Sequence, residues 1–529
     1  PIVDDYWYLD GRRNFRYLVR RAIVLNNLFG VDIMEDAIET AKLRLFLALA
    51  STLNNVAELE PLPDLDFNLR AGNSLFGFST TDDVYRYTGS DLVSWAALKE
   101  LKPNLLAFEH ELEGFRKASL KGRDTSKTNV KNLSQLLDTE ASEVLGAVAK
   151  LPQEVVIEAL KPFHWFTAFP EAMGEGGFDV VIGNPPYIRK RNFDANTKAS
   201  VLGYSTANLD DIYASFIERG LQLLKPEGRF SFVVPISLSV GPSYELVRRM
   251  VSDSRRTEFW STYDQLPAGL FTPADVRNTI LLLGPSVAHP QVFTSQHHVF
   301  SVETRTWLFE RIQYFSQLRE LDQAPIRSGH LASLTSYMQS LPEPTGKPSS
   351  ATIAYRPTAN YWFPVMPKVP PTLTPDGKIK DVMDDGVKVV ELNENEVPNI
   401  LIALCGGKIG FMWWQSVGDG FHVYDRDLNA LRSYATILAN SPECLRLSSA
   451  IRDALVEATV TNLYRGERYV NIRWPNLSDL TDKFDQAALE FTGLRDEWDK
   501  LQVWYAQVMR SNDSRNKIAA FPVLQTVWG

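Results

Sequence analysis

An α/β fold, doubly wound about a mostly parallel sheet, is the fold class this sequence predicts. Three observations lead there. Short apolar runs at 28–33, 178–183, 229–235 and 279–283 alternate with helical periodicity at 34–50, 212–224 and 244–251, the pattern of strands packed between helices. The run Phe178-Asp179-Val180-Val181-Ile182-Gly183 ends at a glycine and reads as a fully buried parallel strand. It continues directly into Asn184-Pro185-Pro186-Tyr187, which puts that tetrapeptide where a strand leaves the sheet and open α/β sheets bind their ligands.

Taken in order, residues 28–33 form a short strand closing on Asp32. Behind it Ile38, Ala41, Leu45 and Leu49 recur at helical spacing, with Glu35 and Asp36 in the first turn, where acids favour the helix dipole. An acid ending a strand before a helix can take both hydroxyls of a ribose. Residues 65–78 hold a second strand and a turn containing Asn73 and Ser74. Residues 83–160 are charged and helical, with an amphipathic series at Leu98, Leu101, Leu105, Phe108, Leu112 and Phe115. They read as an insertion between two strands of one sheet, a solvated packing appendage. After the tetrapeptide come the clustered bases Arg189, Lys190 and Arg191, a helix, the turn Pro226-Glu227-Gly228 and another buried strand. Leu270-Phe271-Thr272-Pro273 precedes the last apolar strand.

The expected organisation is a doubly wound domain over 1–290 with a helical insertion at about 83–160, a connector over 291–394, a mixed α/β region over 395–480 and a helical tail over 481–529. Residues 340–378 are rich in Pro, Gly, Ser and Thr and mark irregular structure.

The tetrapeptide carries chemistry in its residue types. An exocyclic amine on a nucleobase is a poor nucleophile because its lone pair is delocalised into the ring. Asn184 offers a side-chain carbonyl and Pro185 a main-chain carbonyl, so both N–H groups can be accepted and the pyramidal form favoured. Neither proline has an N–H to compete. Tyr187 offers a flat face on which an extruded base can stack.

Composition narrows the classes. A hydrophobic fraction of 44% builds ordinary cores, and 529 residues imply more than one domain. Cys405 and Cys444 are the only cysteines and form no CxxC, which argues against a disulfide framework or zinc site and fits a reducing cytosol. No apolar run reaches the ~18 residues of a membrane span. A net charge of −9 gives no global pull toward nucleic acid, so any DNA contact must use local basic patches.

Together these segments resemble the N6-adenine DNA methyltransferases of restriction–modification systems, most closely the large type IIG-like group in which a methyltransferase precedes a target-recognition domain. The resemblance is carried by Phe163-His164-Trp165-Phe166, Phe169-Pro170-Glu171 and Gly176 through Tyr187, and by a second block, Trp413 through Val423. It implies a class I S-adenosylmethionine-dependent fold, with S-adenosylmethionine as cofactor and double-stranded DNA as partner. Asn184 and Pro185 would orient the adenine amine, Pro186 would hold the turn, and Tyr187 would stack on the base. Asp32 would bind the cofactor ribose and Ile33 its adenine. Asn73, with Ser74 beside it, stands where many relatives carry Asp. Phe271 resembles the aromatic on the far face of the flipped base. Arg465, Arg468 and Arg473, interleaved with Tyr464, Tyr469 and Trp474, join Arg189, Lys190 and Arg191 as candidate DNA contacts. No metal is required.

The family's Gly-rich loop should precede Asp32, and residues 1–30 contain only Gly11 and Gly30. The expectation is therefore a fragment of a longer protein, or a loop supplied by another polypeptide. A nuclease domain or subunit on the N-terminal side stays open, as do two rival readings: a protein or RNA N-methyltransferase, and a cofactor-deficient specificity or scaffold subunit.

Overall fold

The computed structural model describes residues 15–53, 65, 68–88, 92–117, 123–152, 154–271, 276–317, 324–358, 363–383, 386–464 and 466–508. The chain divides into two compact units, Pro1–Phe230 and Ser231–Gly529.

In the first unit, helix α1 (Phe15–Asn27) leads to strand β1 (Gly30–Asp32), and α2 (Glu35–Ala50) follows. Strand β2 (Leu69–Ala71) pairs with β1 in parallel, Val31 opposite Arg70. Helix α2 buries Ile38 and Leu49 but leaves Leu43 and Leu47 exposed.

The turn after β2 is fixed by a return of the chain. Asn73 donates its N–H to Lys161, Phe163 to Phe76 and Trp165 to Phe78, at 2.8–2.9 Å. The intervening residues therefore leave and re-enter the fold at neighbouring points. Among them, α3 (Leu92–Lys117) and α4 (Arg123–Ala149) pack on each other through Leu101, Leu105, Phe108, Val130 and Leu137. Phe78 and Phe166 belong to the same cluster. The insertion thus packs on the turn after β2 through one continuous apolar core. His164 sits in this junction, fully buried. Its Nδ1 accepts the Phe78 N–H at 3.2 Å, so Nε2 carries the hydrogen that meets Ser142 Oγ at 3.1 Å.

Strand β3 (Phe178–Gly183) corrects an expectation. It does follow the family-like block, and Phe178 donates its N–H to Leu223 on one side. It is not fully buried: Val180 is 56% and Ile182 75% exposed. The cause is position, because β3 is the outermost strand of a six-stranded sheet and has a partner on one flank only. An apolar run cannot by itself distinguish a central strand from an edge.

The doubly wound, mostly parallel sheet is likewise corrected, while the α/β class stands. Strands β1 and β2 form a two-stranded sheet of their own. In the second unit, β5 (Arg256–Tyr263) pairs antiparallel with β6 (Asn278–Ser286) and parallel with β7 (Val292–His298), and β7 pairs antiparallel with β8 (Phe315–Gln317). Strand β4 (Leu224–Pro235) contains the division between the units.

The rest of the second unit is mixed α/β. One small sheet runs β10 (Val365–Met366), β9 (Pro348–Tyr355), β13 (Lys388–Asn393). The other runs β12 (Ile379–Met383), β11 (Pro371–Leu373), β15 (Glu467–Ile472), β14 (Thr459–Tyr464). Helices Pro398–Gly406 and Lys408–Val417 lie in a core with Tyr434, Phe484 and Trp504. The charged C-terminal stretch forms Ser478–Phe491 and Glu497–Val508 and contributes Phe484, Leu489 and Leu501 to that core. No single helix among the described residues is long and apolar enough to cross a membrane.

Burial, and secondarily Arg219, lowers the His164 pKa from 6.5 to about 3. The folded state therefore binds fewer protons than the unfolded state between those values. This contribution to stability is complete above pH 6.5 and is lost as pH falls toward 3. Between pH 7 and pH 4.5 this ring should remove roughly 2–3 kcal/mol. Urea unfolding at the two pH values should show a shallower loss in His164→Gln than in the parent; equal losses would refute the assignment.

Candidate active site

The tetrapeptide is where the sequence put it, at the end of β3. Asn184 and Pro186 are exposed, Tyr187 is half-buried and Pro185 is buried. The Tyr187 hydroxyl donates to Asn184 Oδ1 at 2.8 Å. The carbonyl expected to accept a base amine thus already accepts the phenol on one lone pair and keeps the second for a ligand amine. The following chain is pinned back: Lys190 donates its N–H to Asp210 at 2.7 Å, and Ile212 to Ile188 at 3.1 Å.

Asp32 stands exposed at the end of β1, and its Oδ1 accepts the Met34 N–H at 2.8 Å. That bond fixes the carboxylate at the mouth of the βα turn, on an exposed residue. Ile33 beside it is 50% exposed. An exposed carboxylate next to a bare apolar side chain fits the ribose–adenine end of a nucleoside cofactor.

Asn73 is placed differently. Its Nδ2 donates to Ser200 Oγ at 2.7 Å and its Oδ1 accepts the Leu75 N–H at 3.2 Å. It builds the turn rather than presenting a free amide, and the Ser74 carbonyl accepts the Trp165 indole N–H at 3.1 Å. Asp32, Asn73 and Asn184 share the first unit. Phe271 lies in the second unit, 37% exposed.

The candidate DNA contacts divide. Arg189 and Arg191 are exposed on the segment after the motif. Lys190 Nζ reaches the Asn208 carbonyl and Oδ1, both at 3.2 Å. Arg468 donates to the Pro375 carbonyl at 2.8 Å. Arg473 is half-buried, with its N–H on Ala458, next to a buried Trp474. Arg465 lies outside the described residues.

The second family-like block is a packing device. Trp413 and Trp414 are buried, and the Trp414 indole donates to the His422 carbonyl at 2.8 Å. Asp419 accepts the N–H groups of Phe421 and His422 and meets His422 Nδ1 at 2.6 Å. The buried Arg327 guanidinium donates to the carbonyls of Gln415, Ser416 and Gly418, closing the end of that helix. His422 thus has a structural partner in Asp419, while its side chain is partly exposed.

Sequence reasoning missed Ser200, Tyr204, Glu218 and Arg219, which brace the turn and the loop after the motif. The available signal was Glu218-Arg219, two charges inside an otherwise apolar helix. No group of side chains able to hold a metal ion occurs among the described residues.

Residues 26–265 match the family described as Eco57I restriction-modification methylase. The resemblance to restriction–modification methyltransferases is therefore borne out over that segment. A protein of Methanocaldococcus jannaschii, provisionally named a type II restriction enzyme and methyltransferase, is 29% identical over 320 residues, covering 50% of this chain and 26% of the relative. The chain thus spans about a quarter of that relative's length. Among solved structures, the type IIL restriction-modification enzyme MmeI in complex with DNA aligns at 10% identity and TM-score 0.43, over 95% of this chain and 76% of that one. The M protein of the type I enzyme EcoKI aligns at 17% identity and TM-score 0.19, over 34% and 47%. At these scores the fold rests on the topology given above.

Asn73→Ala should remove two side-chain hydrogen bonds and cost about 1–2 kcal/mol, with faster amide exchange at Leu75. Denaturant unfolding and amide exchange together check this; unchanged exchange at Leu75 would refute the turn-building role.

Proposed function

We propose that this chain is the methyltransferase and target-recognition part of a site-specific DNA methyltransferase, acting on the N6 amine of an adenine flipped from the duplex. The observation that carries the reading is Asn184-Pro185-Pro186-Tyr187 at the carboxyl end of β3, in the same unit as an exposed Asp32 at the end of β1. The family match over 26–265 supports it. The reading brings S-adenosylmethionine as cofactor, double-stranded DNA as partner and a cytoplasmic setting. It treats 395–480 as the target-recognition region, with Phe271, Arg189 and Arg191 as contacts to substrate.

When bound, S-adenosylmethionine supplies an electrophilic methyl group. Asp32 would hold its ribose and Ile33 would pack on its adenine. On the substrate side, Asn184 Oδ1 and the Pro185 carbonyl would each accept one N–H of the adenine amine. Two acceptors draw the lone pair out of ring conjugation and onto N6. The Tyr187 ring would stack on the base. Stacking of this kind is worth roughly 1–3 kcal/mol per base, enough to offset part of the cost of unstacking. No covalent enzyme intermediate is needed: Cys405 and Cys444 are buried, and burial raises both thiol pKa values.

One observation favours a second reading. Asn73 spends its amide on the fold, which suits a specificity subunit with weak cofactor binding.

Tritium transfer from labelled S-adenosylmethionine to unmethylated plasmid DNA, followed by nucleoside analysis, tests the assignment. It should be run on this chain and on the product of its complete reading frame. N6-methyladenine should form and fall at least about 10²-fold in Asn184→Ala, the scale for losing one transition-state hydrogen bond. Tyr187→Phe should keep activity because the ring remains. Label on protein or RNA alone would overturn the reading, and DNA binding without transfer would favour the specificity subunit.

A further inference from the structure

The turn after β2 and the loop after the tetrapeptide are joined by one buried polar assembly. Arg219, on helix Tyr213–Gln222, is 7% exposed. Its Nη2 donates to the Gly77 carbonyl at 2.7 Å and the Leu75 carbonyl at 3.2 Å, and its Nε to the Tyr204 hydroxyl at 2.6 Å. The Tyr204 hydroxyl in turn donates to the Leu75 carbonyl at 2.7 Å. The neighbouring Glu218, also 7% exposed, accepts the N–H groups of Ser205 and Thr206 and the Thr206 hydroxyl. Adjacent residues of one helix therefore grip the turn with a cation and the loop with an anion. Ser200 adds a third tie, through Asn73 Nδ2. The apolar half of the same junction is Leu75 packed with Phe193, Val201 and Ile212.

A buried guanidinium seated on carbonyls leaves little slack. Its hydrogen-bond directions are fixed by a planar fork, and leaving any of its donors unsatisfied in the interior is costly. Displacement of the turn must therefore be answered by Tyr204 or by the helix. Tyr204 lies in the segment that runs from Tyr187 to that helix.

We propose that Arg219 and Tyr204 are positioning residues that couple the turn 73–78 to the segment 184–190, so that a nucleoside cofactor held at Asp32 orders the base-binding tetrapeptide. The Asp32 carbonyl accepts the Gly72 N–H at 2.9 Å just before the turn, and the segment is tied to the start of the Arg219 helix by the Ile212–Ile188 and Lys190–Asp210 main-chain bonds. The inference rests on the methyltransferase reading for its ligand, but the coupling belongs to this chain's own residues.

Amide exchange on the product of the complete reading frame, with and without S-adenosylhomocysteine, tests it. In the parent the ligand should slow exchange in both 73–78 and 184–190 several-fold. In Tyr204→Phe, which removes only the hydroxyl, slowing should persist in 73–78 and fall below twofold in 184–190. Arg219→Lys should behave the same way, with its melting curve recorded alongside. If Arg219→Lys fails to fold, Tyr204→Phe decides. Slowing in 184–190 that survives Tyr204→Phe overturns the coupling and leaves the methyltransferase reading intact. A parent in which the ligand protects neither segment counts against both.

Discussion

The pairing of residues 73–78 with 161–165 is the constraint on which the first unit depends. It closes a long excursion at its base, so the helices of the insertion can be held without spreading β2 from its neighbours. It also allows no side chain at one point. Gly77 takes φ +154°, and a Cβ there would stand 2.0 Å from the Phe163 carbonyl oxygen. Phe163, His164 and Trp165 owe their place in the family-like block to this contact. Trp165 secures the Ser74 carbonyl, His164 secures Phe78, and Phe163 lines the approach to Gly72. What reads in sequence as an aromatic preface to the motif is the back wall of the turn beside Asp32.

Much of the site was legible because it is local. Asp32 at a strand end and Asn184–Tyr187 after an apolar run need only a few consecutive residues to declare themselves. Sheet direction was not legible: β6 carries the apolar run of a parallel strand yet runs antiparallel to β5, and hydrophobic periodicity is blind to that difference. The exposure of β3 was hidden for a related reason, since composition reports what a strand can bury and not which neighbours it has. The bracing residues were least visible. Arg219 meets Leu75 across 144 positions and Tyr204 meets it across 129, and no short pattern encodes such a contact. Arg327, which closes a helix end inside the second recognisable block from 88 to 91 positions away, was invisible for the same reason.

The chain carries a net −9, and among the described residues the buried guanidiniums of Arg219, Arg248, Arg256 and Arg327 all donate to main-chain carbonyls. Carbonyl cages hold backbone in place where a salt bridge would hold only side chains. Asp485 shows the same economy from the acid side: it caps the N-terminus of helix Lys408–Val417 through the Lys408 and Ile409 N–H groups, and burial raises its pKa to about 8.

Strand β3 is gripped from one flank. Its other flank carries main-chain groups with no strand beside them among the described residues, and Val180 and Ile182 lie bare on one face. Local unfolding free energy follows such support, and the least braced segments open first. Asn184 hangs from the tip of that strand, so the geometry of the tetrapeptide should soften at temperatures where the rest of the unit is still intact. Heat inactivation would then precede melting, and whatever lies along the free flank would set the temperature at which the two separate.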